Sequence, residues 1–336
     1  MPRLHPPGGR FARGAGADLA SALVTAVVMS PRARIAGYVA LTKPRIIELL
    51  LVTTVPTMIV AERGMPSLWL IVCTVLGGTL AAGGANAINM VVDRDIDRLM
   101  ERTKNRPLVT GAMTPRAALT FAVALEVVAF LFLWGTVNLL SAVLAVTACL
   151  FYVFVYTLWL KRTSSRNIVI GGAAGAVPVL IGWSSVTGTL DWAPVILFAI
   201  IFYWTPPHFW ALAIRYRDDY ANAEVPMLPV VESLHTTSIR ILGYTLLLWV
   251  LTLVFSPVAG MGHLYLGSAI VLGGIFTFYA LRLLRMPDPG LGVAVSGGAA
   301  EVEVRATAMR LFAWSITYIT LLFGAMAVDQ LVRSGW

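Results

Sequence analysis

Long apolar runs, each closed by charge, proline or glycine, recur along the chain at 46–61, 67–90, 117–134, 137–160, 166–186, 192–214, 239–259, 263–284 and 309–332. Each approaches the roughly 20 residues a helix needs to cross the hydrocarbon core of a bilayer. The pattern predicts an all-α polytopic bundle of about nine transmembrane helices. The connections are short except for 91–116, 215–238 and 286–308. The first two of these hold nearly all the acidic and amide groups able to do chemistry, whereas the third is a Pro/Gly/Ala-rich connector without a constellation.

Composition supports this reading. Of 336 residues, 58% are hydrophobic and 12% charged, against about 25% charged in soluble domains, and mean hydropathy is +0.80. Little chain remains for an extramembrane domain. A net charge of +8 would suggest nucleic acid as the partner of a soluble protein, but here the basic residues act as topology signals. All but Arg63 and Arg333 of the 25 Lys and Arg lie in the N-terminal segment or near the loops after spans two, four, six and eight. Positive loops stay in the cytoplasm, so the expected topology places the N-terminus inside and the C-terminus outside a bacterial-type cell inner membrane, with no role for nucleic acid. Residues 1–35 are expected to be an extension, either disordered or upstream of a true start at Met29. A cleaved signal peptide, suggested by Ala17–Ser30 behind Arg3, Arg10 and Arg13, is the weaker alternative. Residues 36–336 form the functional domain. Cys73 and Cys149 lie inside apolar runs without metal-ligand spacing, which argues against a disulfide framework, a zinc site and an iron–sulfur site.

Span two ends in Gly83-Gly84-Ala85-Asn86-Ala87-Ile88-Asn89-Met90-Val91-Val92-Asp93-Arg94-Asp95-Ile96-Asp97. Steps of three and four residues return to one helix face, so Asn86, Asn89, Asp93 and Asp97 form one stripe from within the bilayer to its inner surface. A lone Asp there would simply mark the membrane border. Two amides at the membrane-facing end make the stripe expensive, and such groups are usually functional. A hard cation such as Mg²⁺ takes one or two carboxylates, waters and substrate phosphate oxygens. The loop continues through Arg102, Lys104 and Arg106, where two guanidinium forks and a point charge suit phosphate as well as they suit a positive-inside cluster. Carboxylates and basic groups together point to a metal–pyrophosphate site.

Span six ends in Tyr203-Trp204-Thr205-Pro206-Pro207-His208-Phe209-Trp210, running on through Arg215 to Asp218-Asp219-Tyr220. Two consecutive prolines are expected to kink or open the helix just before His208. The aromatic residues read equally as an interface belt or as the lining of a pocket for a flat or isoprenoid substrate. Asp218 and Asp219, on the same side of the membrane as the first stripe, offer a second metal site. Gly77-Gly78, Gly83-Gly84 and Gly171-Gly172 are read as close helix packing. Glu126, in mid-span, is read as an interior helix partner, although charge at that depth is suspicious.

Asn89, Asp93 and Asp97 meet an NxxxDxxxD pattern that resembles the first motif of the UbiA-type intramembrane prenyltransferases. The strings Arg102-Thr103-Lys104-Asn105-Arg106-Pro107-Leu108 and Trp204 to Trp210, with Asp218-Asp219-Tyr220 and Val225-Pro226-Met227-Leu228-Pro229, are similar to the protohaem-farnesylating branch of that family. The resemblance implies a nine-helix bundle and Mg²⁺-dependent transfer of a farnesyl group from farnesyl diphosphate to a vinyl group of haem b. Haem O would result, for a downstream haem A synthase or terminal oxidase assembly. It implies catalytic roles for Asn89, Asp93, Asp97 and His208. Metal would lie at Asp93 and Asp97, with Asp218 and Asp219 as further ligands. Asn86, Arg102, Lys104, Arg106, Arg215, Trp204 and Phe209 would bind substrate. Two positions depart from the pattern. Arg215 stands where the broader family's second motif, DxxxD, has its first acid, and suits diphosphate or a haem propionate instead. Glu224 stands where haem-type members usually carry glycine. Two other readings remain, a related enzyme prenylating a quinone or chlorophyll-type acceptor and a secondary transporter. The transporter fits less well because the densest polar cluster lies at the inner surface, away from the midplane.

Overall fold

The computed structural model describes residues 31–287 and 298–336, and among these every regular element is helical. Residues 1–30 of the expected 1–35 extension and 288–297 of the 286–308 connector lie outside the described residues, whereas 31–35 are helical and 299–308 belong to the last helix. We number the helices α1 (Pro31–Thr42), α2 (Pro44–Glu62), α3 (Leu68–Val92), α4 (Arg94–Leu99), α5 (Pro115–Thr136), α6 (Leu139–Thr163), α7 (Asn167–Thr187) and α8 (Trp192–Arg215). The remainder are α9 (Arg217–Asn222), α10 (Leu228–Val231), α11 (Leu234–Val258), α12 (His263–Leu284) and α13 (Ala299–Arg333). Eight of them are long and apolar enough to cross a membrane, and α2 adds a shorter apolar stretch, Val52–Glu62. The nine expected runs therefore all fall on helices, with α13 starting earlier than its apolar run.

Local chemistry sets several boundaries. Ser67, Thr114, Asn138, Asp191 and Ser233 each accept a backbone N–H of the first helical turn, satisfying donors that the helix leaves orphaned. Pro115 follows Thr114 at the first helical position, where no N–H is needed. Gly188, at φ 68°, closes α7 in the left-handed region.

Successive spans pack side by side, and α13 returns to α2, closing the bundle. Cross-contacts of α2 with α7 and of α8 with α13 fill its middle. Close approach depends on small residues, as expected where lipid supplies no hydrophobic drive. A methyl group on Gly171 would sit 2.2 Å from the Tyr156 ring, and one on Gly84 would lie 2.6 Å from a Glu126 carboxylate oxygen. The glycine pairs thus serve packing, and Glu126 is an interior partner of α3.

Two features differ from the expectation. Helix α8 runs unbroken through Pro206 and Pro207, because both prolines are buried among neighbouring helices, which is where lost backbone bonds are tolerated. In α6, residues Phe151–Leu160 are wound as a π-helix, with one extra residue between hydrogen-bonded groups. Apolar periodicity does not reveal such a local change of pitch.

Candidate active site

The stripe on α3 survives the end of its helix. Asp93 caps α3, and its carbonyl accepts the Asp97 N–H at 2.8 Å, so the helical path continues into α4. Asn89, Asp93 and Asp97 are consequently aligned and all buried. Asn86 is buried one turn deeper, its amide 3.5 Å from the Thr42 carbonyl.

Each carboxylate has a cationic partner. Lys161, at the end of α6, is paired with Asp93, and Arg106 reaches Asp97 at 2.6 Å. Asn89 donates to Asp93 at 2.7 Å and to the Thr157 hydroxyl at 3.1 Å, while Lys43 donates to the Asn89 carbonyl oxygen at 3.0 Å. The Thr157 hydroxyl itself donates to the Tyr152 carbonyl five residues back, at 2.8 Å, so the π-helical pitch of α6 is what holds it toward Asn89. Burial, followed by the nearby charges of Arg106 and Lys161, pushes the Lys43 ammonium down to about 7. Lys43 lies in the turn before α2 with a left-handed φ of 51°, a conformation uncommon for a non-glycine residue.

Asp93 Oδ1 is buried without a hydrogen-bond partner, and Arg162 approaches it only to 3.9 Å. A buried carboxylate oxygen left open in this way is costly, and it fits a site that receives a cation. Among the described residues no three His, Cys, Asp or Glu side chains cluster to hold a metal alone. An ion here would complete its shell with substrate oxygens and water, as Mg²⁺ commonly does.

The two polar loops meet beside this cluster. A cleft of about 410 Å³ is lined by Glu101, Arg102, Arg215, Tyr216, Asp218, Asp219 and Arg305. Arg102 lies over the Tyr216 ring at 5.7 Å, and Asp218 accepts from Arg305 of α13 at 2.7 Å. Lys104 pairs with Glu101 at the exposed surface, so of the 102–106 run it is Arg106 that enters the buried cluster while Arg102 stays at the cleft. Deeper along α8, His208 is stacked between Trp204 (4.3 Å) and Phe312 (4.5 Å), with the edge of Phe209 at 5.2 Å.

Lys43, Thr157 and Lys161 join the site from distant segments. In sequence, Lys43 and Lys161 read only as topology charges, and nothing distinguishes Thr157 from other threonines in apolar spans. Glu224 adopts a φ of 53°, which explains why glycine suits that turn.

Comparison with known proteins gives this architecture a family. A protein named protoheme IX farnesyltransferase in Frankia casuarinae is 55% identical over 304 residues, covering 90% of this chain and all of the relative. One of the same name in Parafrankia sp. is 54% identical, covering 90% and 95%, and one in Streptomyces avermitilis 52%, also 90% and 95%. Among solved structures, a digeranylgeranylglyceryl phosphate synthase superposes with a TM-score of 0.71 at 16% identity, over 89% of this chain and 99% of that one. A UbiA homologue from Archaeoglobus fulgidus bound to GPP and Mg²⁺ gives 0.55 at 16% identity, over 84% and 99%. The two structural likenesses carry the fold alone. The model of the UbiA prenyltransferase family matches residues 50–296, and the chain belongs to that family.

Proposed function

We propose that this protein transfers the farnesyl group of farnesyl diphosphate to a vinyl group of haem b, forming haem O and releasing diphosphate. The observation that carries the reading is the buried assembly of Asn89, Asp93 and Asp97 with Lys43, Arg106 and Lys161 at one end of the bundle. Such a cluster suits a diphosphate leaving group, and the close relatives named above are protoheme IX farnesyltransferases.

Asp93 and Asp97, with Asn89, would hold magnesium, and the open Asp93 Oδ1 is the feature that fits it. When bound, the ion supplies charge neutralisation to the diphosphate. Asp218 and Asp219 lie across the same cleft as Arg102 and are the candidates for a second ion. Arg102 and Arg106 present guanidinium forks to diphosphate oxygens, and Lys43 and Lys161 add fixed positive charge where negative charge grows. As the allylic C–O bond breaks, its electron pair leaves with the diphosphate. The terminal vinyl carbon forms the new C–C bond, and water adds to the cation left next to the porphyrin, losing a proton to give the hydroxyl. Apolar and aromatic walls around Trp204 and Phe209 keep water from the allylic cation before that step. Asn86 positions the inner end of the stripe, and Lys104 attracts the anionic substrate from outside.

The distribution of Lys and Arg supports a cytoplasmic N-terminus and an outer C-terminus, with the diphosphate site on the cytoplasmic side of a bacterial inner membrane. The decisive experiment is mass analysis of the pigments formed by membranes containing this chain, haem b, Mg²⁺ and farnesyl diphosphate. A product heavier by one farnesyl group and one hydroxyl supports the reading. Unmodified haem b, with an aromatic acid prenylated instead, overturns it.

A further inference from the structure

Ser315 of α13 is fully buried and joins three groups that the chemistry above leaves unlinked. Its carbonyl accepts the Trp204 indole N–H at 2.8 Å, and its hydroxyl donates to the Phe312 carbonyl at 2.6 Å. The same hydroxyl oxygen lies 2.7 Å from His208 Nδ1. A serine hydroxyl carries one proton. With that proton given to Phe312, the oxygen is left to accept from the imidazole, the arrangement in which Nδ1 carries the proton and Nε2 keeps its lone pair. The Trp204 and Phe312 rings stacked on His208 fix the plane in which that lone pair points. Nε2 has no hydrogen-bond partner among the described residues, and His208 is only half-buried.

His208, Leu212 and Arg215 recur at steps of four and three residues, on one face of α8. At 1.5 Å rise, the seven residues from His208 to Arg215 span about 10 Å. That is close to the reach from the iron of a porphyrin to its propionate carboxylates. Arg215 in turn borders the cleft at the end of the bundle.

We infer that Ser315 is a positioning residue that fixes the His208 tautomer so that Nε2 ligates the iron of the acceptor haem, with a haem propionate at Arg215. The inference rests on the haem-acceptor reading and adds to it the orientation in which haem is held. The hydrogen bond from Nδ1–H also raises the donor strength of Nε2, the usual task of a residue behind a ligating histidine.

The test uses the purified full chain in detergent, titrated with haem b and followed by absorption and by the iron–histidine stretching band of the ferrous form. The expected results are a histidine-ligated spectrum in the wild type, its loss in His208→Gly, and its return on addition of free imidazole. Ser315→Ala lowers haem affinity about tenfold and shifts the band, while Ser315→Thr, which keeps the hydroxyl, restores it. Arg215→Ala weakens haem b binding about tenfold but leaves binding of its dimethyl ester unchanged. Retained binding of farnesyl diphosphate certifies folding, and Ser315→Cys replaces the alanine variant where that control fails. An unchanged spectrum in His208→Gly overturns iron ligation, and an unchanged band in Ser315→Ala, or in the Ser315→Cys that replaces it, overturns the positioning role. Equal losses of haem b and its ester in Arg215→Ala overturn the propionate contact. A wild-type protein that binds no haem overturns the acceptor reading itself.

Discussion

Replacing Lys161 by methionine isolates the electrostatics of the stripe. Asp93 is fully buried, and Lys161 is only 14% exposed. Removing one member of a buried pair leaves an uncompensated charge and costs about 3–5 kcal/mol. Arg162 stands 3.9 Å from Asp93, a separation worth about 4 kcal/mol at an effective dielectric constant of about 20, before desolvation. That guanidinium is already held by both Asp95 oxygens, at 2.7 and 2.8 Å, so it relieves the orphaned charge only in part. The expected loss for Lys161→Met is therefore near the lower end, about 3 kcal/mol. The double variant Asp93→Asn/Lys161→Met regains most of this stability, because charge and countercharge disappear together, yet it stays inactive. Arg162→Ala, which breaks a surface pair with the exposed Asp95, costs less than about 1 kcal/mol. The assay is chemical unfolding in mixed micelles followed by tryptophan fluorescence, with turnover measured in parallel. A loss below about 1 kcal/mol in the single variant, typical of exposed pairs, refutes the reasoning. So does a double variant no more stable than the single.

Glu224→Gly removes an exposed side chain from a left-handed backbone at φ 53°. The relieved strain of about 1–2 kcal/mol, less the added freedom of glycine in the unfolded chain, about 0.5–1 kcal/mol, gives a small rise in the unfolding midpoint; a fall contradicts it. Gly84→Ala places a methyl group 2.6 Å from Glu126 and 3.0 Å from the Ala122 carbonyl, and should cost about 1–3 kcal/mol. Gly175→Ala, which meets nothing within 4 Å, should be neutral or stabilising, and similar midpoints for the two would discredit the packing argument. Lys43, with its ammonium lowered to about 7, is charged below that pH and neutral above it. Binding of farnesyl diphosphate to magnesium-free protein should therefore weaken from pH 6 to pH 8 relative to Lys43→Arg, and a constant ratio of the two dissociation constants would remove Lys43 from the anion site.

The spans and the acidic stripe were legible because both are written at short range. Runs of about 20 apolar residues, the parity of the basic loops and the three-and-four spacing of Asn86, Asn89, Asp93 and Asp97 all depend on local helix geometry. What surrounds the stripe is tertiary. Lys43 meets Asn89 across 46 residues, and Thr157 and Lys161 reach the stripe across 68. Nothing in their own neighbourhoods announces these contacts. Proline chemistry predicts a break before His208, and burial of α8 on several sides overrides it. The preference for glycine at position 224 did carry a signal, since the turn there needs a positive φ.

The wide pitch of Phe151–Leu160 makes this segment unusually sensitive to length. Excising a single residue from it would let the segment rewind as ordinary helix, its ends still anchored by the flanking turns. Lys161 would keep its place, but the five-back bond from Thr157 to the Tyr152 carbonyl would be lost and the hydroxyl turned off Asn89, while the hydrophobicity of the span stayed almost the same. Translocation machinery, which weighs greasiness, would thread such a protein normally. A one-codon deletion here is thus a route to an abundant, properly inserted and silent enzyme, in which membrane biogenesis and chemistry are uncoupled.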